Sequence, residues 1–148
     1  VDRVTGTPAT IASVASTDEL AALQQACRRV YVDPSLIQYA VRLAAVTRYP
    51  DRHGLPELAR FVTFGASPRA PIHLIEGARA LAFLRGRTYA LPDDVADLVP
   101  DVFRHRLVLS YEALAESLTS DELIRRIMRK VPAPEKPLEK HVRIAAAG

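Results

Sequence analysis

The stretch Gly65-Ala66-Ser67-Pro68-Arg69-Ala70 leads into a mainly apolar segment of the chain. Ser67 is a favourable helix N-cap, because its hydroxyl can accept a hydrogen bond from a backbone N–H of the first turn. Pro68 suits the first helical position, since its fixed φ is already helical. The sequence therefore predicts a helix over residues 68–85, with Gly86 as its stop.

Arg69 falls in the first turn of this predicted helix, where unpaired backbone N–H groups and the helix dipole favour an anion. The planar guanidinium of Arg69 adds donors that suit a phosphate. His73 follows four residues later and therefore shares a helix face with Arg69. Local chemistry alone leaves a second interpretation open, in which both side chains are ordinary solvated surface residues.

Three further motifs follow in order along the chain: Ala78-Arg79-Ala80-Leu81-Ala82, Gly86-Arg87-Thr88-Tyr89-Ala90-Leu91-Pro92-Asp93-Asp94-Val95 and Phe103-Arg104-His105-Arg106-Leu107. Together with the first stretch, this series resembles the C-terminal lid domain of MoxR-type AAA+ ATPases over about residues 20–131. The resemblance implies a mainly α fold. Its form would be an AAA+ lid-type bundle of about five to six helices with a minor pair of short β-strands.

The resemblance also implies a site. In the family, the arginine at the position of Arg69 is the sensor-two residue, which reaches the nucleotide phosphates from the lid. Ser67, Pro68, Ala70 and His73 would then lie near ATP and Mg²⁺, both held mainly by a separate ATPase core. The basic motif Arg104-His105-Arg106 belongs to the framework of the lid in that family, and its functional weight stays open.

The resemblance further implies the setting of the parent protein. Such ATPases assemble as homo-oligomeric rings, commonly hexamers, and couple ATP hydrolysis to motion of the lid. They resemble chaperones that act with partners containing a von Willebrand A-type domain, in complex maturation or in metal or cofactor insertion. The client protein and the delivered group are not implied.

The composition is compatible with these expectations but does not require them. The chain has 148 residues, 49% of them hydrophobic and 25% charged, with a formal net charge of +3, which is typical of one globular domain. Its single cysteine, Cys27, excludes a disulfide within the chain and is predicted to lie in the core. No apolar run is long enough to cross a bilayer and no signal peptide is evident, so we expect a cytoplasmic protein.

Three parts are predicted along the chain. Residues 1–15 lack periodicity and predict a lead-in from an ATPase core that precedes this sequence. Residues 16–131 predict the helical lid, and the proline-containing residues 132–148 predict a disordered tail. The sequence contains no GxxxxGK[ST] phosphate-binding loop and no matching acid for magnesium, so it cannot hydrolyse a nucleotide by itself.

Capping signals predict the other main helices. A capping box from Ser16 to Glu19 opens the first helix, in which the apolar face comprises Leu20, Leu23, Cys27 and Val30. Asp33-Pro34 opens the second helix, in which the predicted buried stripe comprises Leu36, Ile37, Ala40, Leu43, Ala44 and Thr47. Residues 119–122 form a second capping box before the last helix, in which Leu123, Ile124, Ile127 and Met128 are predicted to face inward.

Less regular segments connect these helices. Residues 30–32 and 88–90 are predicted to be short strands that pair with each other. Residues 50–66 predict a loop with at most one turn of helix at residues 57–61, because Pro50, Gly54 and Pro56 interrupt any long element. Pro100 is expected to end one helix, and residues 102–109 to resume it.

Two other classes of function remain open on the sequence. One is a stand-alone helical module that binds a partner protein through an apolar groove. The other is a nucleic-acid-binding domain that uses Arg104-His105-Arg106 and the basic residues between 125 and 130. The second class is disfavoured, because these cations lie on separate predicted helices without interleaved aromatic residues. The helical module predicts that Arg69→Ala is tolerated, whereas the nucleic-acid-binding domain predicts DNA binding that weakens steeply with salt.

Overall fold

The computed structural model describes residues 12–135. Most of the predicted lead-in and of the predicted tail therefore lies outside the described residues. The described part contains seven α-helices and one two-stranded sheet, in the order α1 (Thr17–Arg28), α2 (Pro34–Arg48), α3 (Pro56–Ala59), β1 (Val62–Phe64), α4 (Arg69–Leu84), α5 (Pro92–Phe103), β2 (Val108–Leu109), α6 (Tyr111–Ala115) and α7 (Ser120–Lys130). The predicted mainly α fold is confirmed. Five helices have at least 11 residues, whereas α3 and α6 are single turns.

Helix α4 is the centre of the bundle and packs against α5 and α2. Its inward stripe recurs every fourth residue and is fully buried, comprising Ala70, Leu74, Ala78 and Ala82. Alanines on a packing face let neighbouring helix backbones approach closely, because little side-chain volume separates them. The periodicity of residues 68–85 predicts an inward face of Leu74, Ile75, Ala78, Leu81 and Ala82. Leu74, Ala78 and Ala82 are buried as predicted, whereas Ile75 and Leu81 are partly buried.

Gly86 ends α4, as predicted. It adopts φ 71°, a left-handed conformation that glycine takes without a steric penalty. The Gly86 N–H donates to the Phe83 carbonyl and the Arg87 N–H donates to the Ala82 carbonyl, each over 2.9 Å. These two bonds form the Schellman pattern, which satisfies the last carbonyls of the helix.

The expectation that Pro100 ends a helix is wrong. Helix α5 continues through Pro100 to Phe103, and a short 3₁₀ turn, Arg104–Arg106, follows it. Proline removes one internal hydrogen bond. On the same helix Val95, Val99 and Phe103 are almost completely buried, and burial of three such side chains outweighs the missing bond.

The expected strand pair is reduced to a single contact. Tyr31 and Tyr89 form one isolated parallel bridge, with hydrogen bonds from the Tyr31 N–H to Thr88 (2.8 Å) and from the Ala90 N–H to Tyr31 (2.9 Å). The actual sheet pairs β1 with β2 in antiparallel orientation, in segments predicted to be loop and helix. Strands of two or three residues are too short to show a periodicity that the sequence could reveal.

Helix α1 is present, but its predicted buried face is confirmed only in part: Val30, just after the helix, is buried. The capping box forms, since the Ser16 hydroxyl accepts from the Glu19 N–H (3.2 Å) and the Glu19 carboxylate accepts from the Ser16 N–H (2.7 Å). Leu20 and Leu23 are nevertheless 54% and 50% exposed. Cys27, expected in the core, is only partly buried. Local capping therefore defines α1 more than burial does.

The remaining predicted faces are mostly confirmed. In α2 every predicted inward residue is buried except Ile37, which is 44% exposed. In α7 Leu123, Ile124 and Ile127 are buried. Its capping box is only half formed: Thr119 accepts from the Glu122 N–H, but the Glu122 carboxylate pairs with Arg125 and Arg126 instead.

A buried carboxylate, Asp94, joins α4 to α5. Asp94 is completely buried and accepts from Arg85 (2.7 Å), from both terminal nitrogens of Arg87 (2.6 and 2.7 Å) and from the Leu91 N–H (2.7 Å). Burial alone would raise the pKa of Asp94, but the hydrogen bonds from Arg87 and Leu91 outweigh it and hold the pKa below its usual value. The carboxylate thus caps α5, which begins after a leucine that has no capping hydroxyl.

We expect Asp94→Asn to lower the free energy of unfolding by about 3 kcal/mol, because it removes the buried anion on which two partly exposed arginines converge. Urea denaturation followed by circular dichroism measures the loss. Asp97→Asn is the matched control, since the Asp97 carboxylate is 54% exposed and its ion pair within the described residues is with Arg85. Equal effects of the two substitutions would contradict the proposed weight of Asp94.

The same carboxylate predicts a pH dependence. In the unfolded chain its pKa is about 3.9, and in the folded chain it is lower, so the unfolded state binds the proton first as the pH falls. The stabilisation by Asp94 is therefore complete above about pH 5 and is lost as the pH drops through the folded pKa. Unfolding free energies of wild type and Asp94→Asn should converge in acid. A difference that stays constant down to about pH 3 would contradict this assignment.

Candidate functional site

Arg69 is the first residue of α4, and its side chain points to no partner within the described chain. Helix α4 begins one residue later than predicted, with Pro68 as N-cap in a helical conformation (φ −59°, ψ −14°). Ser67 still acts at this end, since its hydroxyl accepts from the Arg69 N–H over a long 3.4 Å. Among residues 12–135 the Arg69 guanidinium makes no ion pair or hydrogen bond. Its charge is therefore available to a ligand.

The free backbone N–H groups expected at this helix start are not present. Pro68 and Pro71 have no N–H. The Arg69 N–H is directed at the Ser67 hydroxyl, and the Ala70 N–H donates to the Ser67 carbonyl over 2.9 Å. The prolines and the local turn thus use up the donors that a helix start normally leaves unpaired. Any anion here would be bound by the guanidinium, assisted by the helix dipole.

Residues 65–69 form the turn that leads into α4, which we call the Arg69 turn. A buried alanine lies on each side of its exposed residues. Ala66 and Ala70 are both completely buried, whereas Ser67, Pro68 and Arg69 are exposed between them. A short segment held at both ends has little conformational freedom to lose when it binds a ligand. The turn therefore presents Arg69 from a defined position on the bundle.

The inner end of the turn is attached to the end of α2. Thr47 is completely buried; its hydroxyl donates to the Ala44 carbonyl (2.7 Å) and accepts from the Ala66 N–H (2.9 Å). Thr47 lies on the predicted buried stripe, but its bond to Ala66, which spans 19 residues of sequence, was not predicted. A hydroxyl residue within an apolar stripe was the one available signal, because a buried hydroxyl needs a partner.

Gly65 lies directly on the backbone of α2. A Cβ atom at this position would fall 2.6 Å from the Arg48 nitrogen and closer still to the Thr47 carbonyl. Only glycine permits such an approach between two backbones. Arg48 itself is partly buried, and its Nε has no hydrogen-bond partner in the described part of the chain.

His73 lies on the exposed side of α4. Its side chain is 51% exposed, and its Nδ1 is 3.9 Å from a carboxylate oxygen of Glu76. The helical spacing puts His73 one turn beyond Arg69. A nucleotide contact by His73 stays a prediction, as do the contacts predicted for Ser67, Pro68 and Ala70.

The basic motif 104–106 makes structural contacts. Arg104 Nε is 2.7 Å from a carboxylate oxygen of Asp121, which links the end of α5 to α7. Arg106 donates to the Val102 carbonyl over 2.6 Å. These contacts account for two of its three residues within the framework of the bundle.

Two features are absent from residues 12–135. This range contains no group of three or more histidine, cysteine or acidic side chains that could hold a metal ion. No helix in the same range combines the length and the apolar character needed to cross a bilayer.

The helical bundle and its motifs define the class of the protein. Residues 58–127 match the family described as AAA lid domain. The matched range begins in α3, includes the Arg69 turn and the Asp94 network, and ends in α7.

Similar proteins extend the match over most of the chain. It is 41% identical over 133 residues to the chaperone MoxR1 of Mycobacterium tuberculosis, and 37% identical over 111 residues to the protein MoxR of Methylorubrum extorquens. These alignments cover 90% and 71% of this chain but 35% and 32% of those proteins. The crystal structure of a proposed ATPase from Cytophaga hutchinsonii superposes with a TM-score of 0.77 at 35% identity, over 80% of this chain and 36% of that one.

These relationships show the family: the chain is a lid domain of the MoxR family of AAA+ proteins. It spans about a third of the length of the relatives that it matches.

Gly65→Ala should lower the free energy of unfolding by about 3 kcal/mol, because a Cβ would collide with backbone that cannot rotate away. Gly86→Ala is the matched control. A Cβ there meets open space, so only the left-handed backbone conformation opposes it, at about 1 kcal/mol. Urea denaturation compares the two. A Gly65→Ala protein as stable as Gly86→Ala would contradict the close backbone contact.

Proposed function

We propose that this chain is the lid of an ATP-hydrolysing AAA+ protein, in which Arg69 is the sensor-two residue. The observation that carries the proposal is the Arg69 guanidinium, an exposed cation without a partner in the described chain, held by a short turn at the start of the central helix. The resemblance of the motif supports the role, and the geometry supplies the reason that this arginine can perform it.

Arg69 would act by stabilising negative charge on the phosphates of ATP. A guanidinium donates two parallel hydrogen bonds to phosphate oxygens, and the positive end of the α4 dipole adds to its field. Negative charge on the terminal phosphate during transfer would be stabilised by a cation already in place. Because the backbone N–H groups of the first turn of α4 are occupied, the Arg69 side chain would supply most of the interaction between the lid and the phosphates.

ATP would bind between this lid and an ATPase core, and it supplies the phosphoryl group that is transferred. Ser67 and Pro68 would form the exposed turn that faces it, the buried Ala70 would hold that turn in place, and His73 would lie one helical turn away. The core would supply the ligands for Mg²⁺, since no candidate cluster occurs in residues 12–135.

Motion of the lid would follow from the position of Arg69. Helix α4 packs against both α2 and α5, and Asp94 joins α4 to α5. A force on Arg69 is therefore transmitted to the whole bundle instead of bending one helix. When the terminal phosphate is lost, Arg69 loses its anchor and the lid can move as a rigid body.

The wider setting is part of the same proposal. We infer a cytoplasmic chaperone that forms a ring, commonly a hexamer, and acts in complex maturation or in metal or cofactor insertion. It would act with a partner that contains a von Willebrand A-type domain and with a client protein. The relative named chaperone MoxR1 supports the chaperone role. Residues 16–131 would form the lid.

We expect Arg69→Ala to lower kcat for ATP hydrolysis about tenfold or more in the full-length protein that contains this chain, because a preorganised charge is removed from the transferred phosphate. Arg69→Lys should recover only part of the activity, since an ammonium cannot donate in the planar bidentate pattern. Steady-state ATPase assays measure both effects, with folding checked by circular dichroism.

Arg125→Ala provides the matched control, because Arg125 is an exposed arginine of α7 whose ion pair within residues 12–135 is with Glu122 on its own helix. It should leave kcat unchanged. Equal rates for Arg69→Ala and wild type would reject the sensor-two role. They would favour the alternative, a helical module that binds a partner protein, for which the exposed Leu20 and Leu23 of α1 offer an apolar face.

A further inference from the structure

The position of Arg69 depends on the turn that precedes it. Helix α4 itself is fixed by its buried stripe, which begins at Ala70. Ser67, Pro68 and Arg69 lie before that stripe and are exposed. The path of the turn is therefore set by the residues that hold its other end, at Gly65 and Ala66.

The hydroxyl of Thr47 holds that end with a directional bond. Its hydrogen is donated to the Ala44 carbonyl, so only a lone pair remains for the Ala66 N–H, which it accepts at 2.9 Å. Both residues are completely buried, so water cannot replace the bond. A β-branched side chain in a helix is also restricted at χ1, which fixes the direction of the acceptor.

The contact beneath Gly65 leaves the turn no room to shift. The Gly65 backbone rests on the carbonyl of Thr47 and the nitrogen of Arg48. Thr47 thus holds the turn in two ways. Its hydroxyl accepts a hydrogen bond, and its backbone carbonyl blocks movement of Gly65. Together they fix the turn three residues before Arg69.

We propose that Thr47 is the positioning residue for Arg69: it sets the path of the 65–68 turn and thereby the place from which the guanidinium reaches the phosphate. This inference rests on the proposed sensor-two role of Arg69. Thr47 would contact neither the nucleotide nor the Arg69 side chain. It acts through the backbone of Ala66.

The test is a double-mutant cycle in the full-length protein that contains this chain, with ATPase kcat at saturating ATP as readout. Thr47→Val keeps the shape of the side chain but removes the acceptor for the Ala66 N–H. We expect kcat to fall about fivefold or more, because small displacements of a charged group cost large factors in rate. In an Arg69→Ala background the same substitution should change kcat by less than about twofold, because it then has nothing to position.

Two further variants separate positioning from stability. Thr47→Ser retains the hydroxyl and should keep kcat within about twofold of wild type. Thr63→Val removes the hydroxyl of an exposed threonine in β1 and should leave kcat unchanged. If Thr47→Val does not fold, Thr47→Ser decides: activity near wild type with a protected Ala66 amide in hydrogen exchange supports the proposal, and a loss equal to that of Arg69→Ala overturns it.

The cycle also separates this inference from the function on which it rests. A normal rate for Thr47→Val beside a reduced rate for Arg69→Ala would overturn the positioning role alone. An equal loss from Thr47→Val in both backgrounds would also overturn it, because the effect would not pass through Arg69. A normal rate for Arg69→Ala would reject the sensor-two role itself, and the positioning role with it.

Discussion

The arrangement of the bundle depends on the close packing of α4 at its centre. Its buried stripe consists of three alanines and one leucine, so α2 and α5 can approach its backbone. A larger residue in this stripe would separate these helices and displace both ends of α4 at once. Those two ends carry the features that matter most, the Arg69 turn at the start and the network around Asp94 beyond the end.

Within the described part of the chain, the charged side chains are paired at the C-terminal end of α4 and unpaired at its N-terminal end. Beyond the C-terminal end, two arginines converge on a buried carboxylate, which is satisfied by hydrogen bonds and stays ionised. At the N-terminal end, one arginine is exposed and has no acidic partner in residues 12–135. A compensated charge contributes to stability, whereas an uncompensated one remains available for binding. This contrast is the physical reason for assigning structure to one end and function to the other.

The Arg69 turn differs from a helix start that binds phosphate through backbone N–H groups. Two prolines and the Ser67 contacts occupy the backbone donors of the first turn of α4. An anion bound at this helix start would therefore depend mainly on the Arg69 guanidinium and on its position. A buried threonine and a glycine without room for a Cβ lie directly behind the turn.

The main helices could be predicted from the sequence, because capping residues, prolines and a glycine stop act through contacts a few residues apart. The order of the motifs indicated the family and made Arg69 the candidate residue. Tertiary contacts were needed to show that α5 continues through Pro100, that Leu20 and Leu23 stay exposed, and that β1 pairs with β2. The hydrogen bond between Thr47 and Ala66 belongs to the same group, since its two residues lie 19 residues apart. Local rules state what a segment prefers, whereas burial and long-range hydrogen bonds depend on which segments meet, and one sequence read alone does not contain that information.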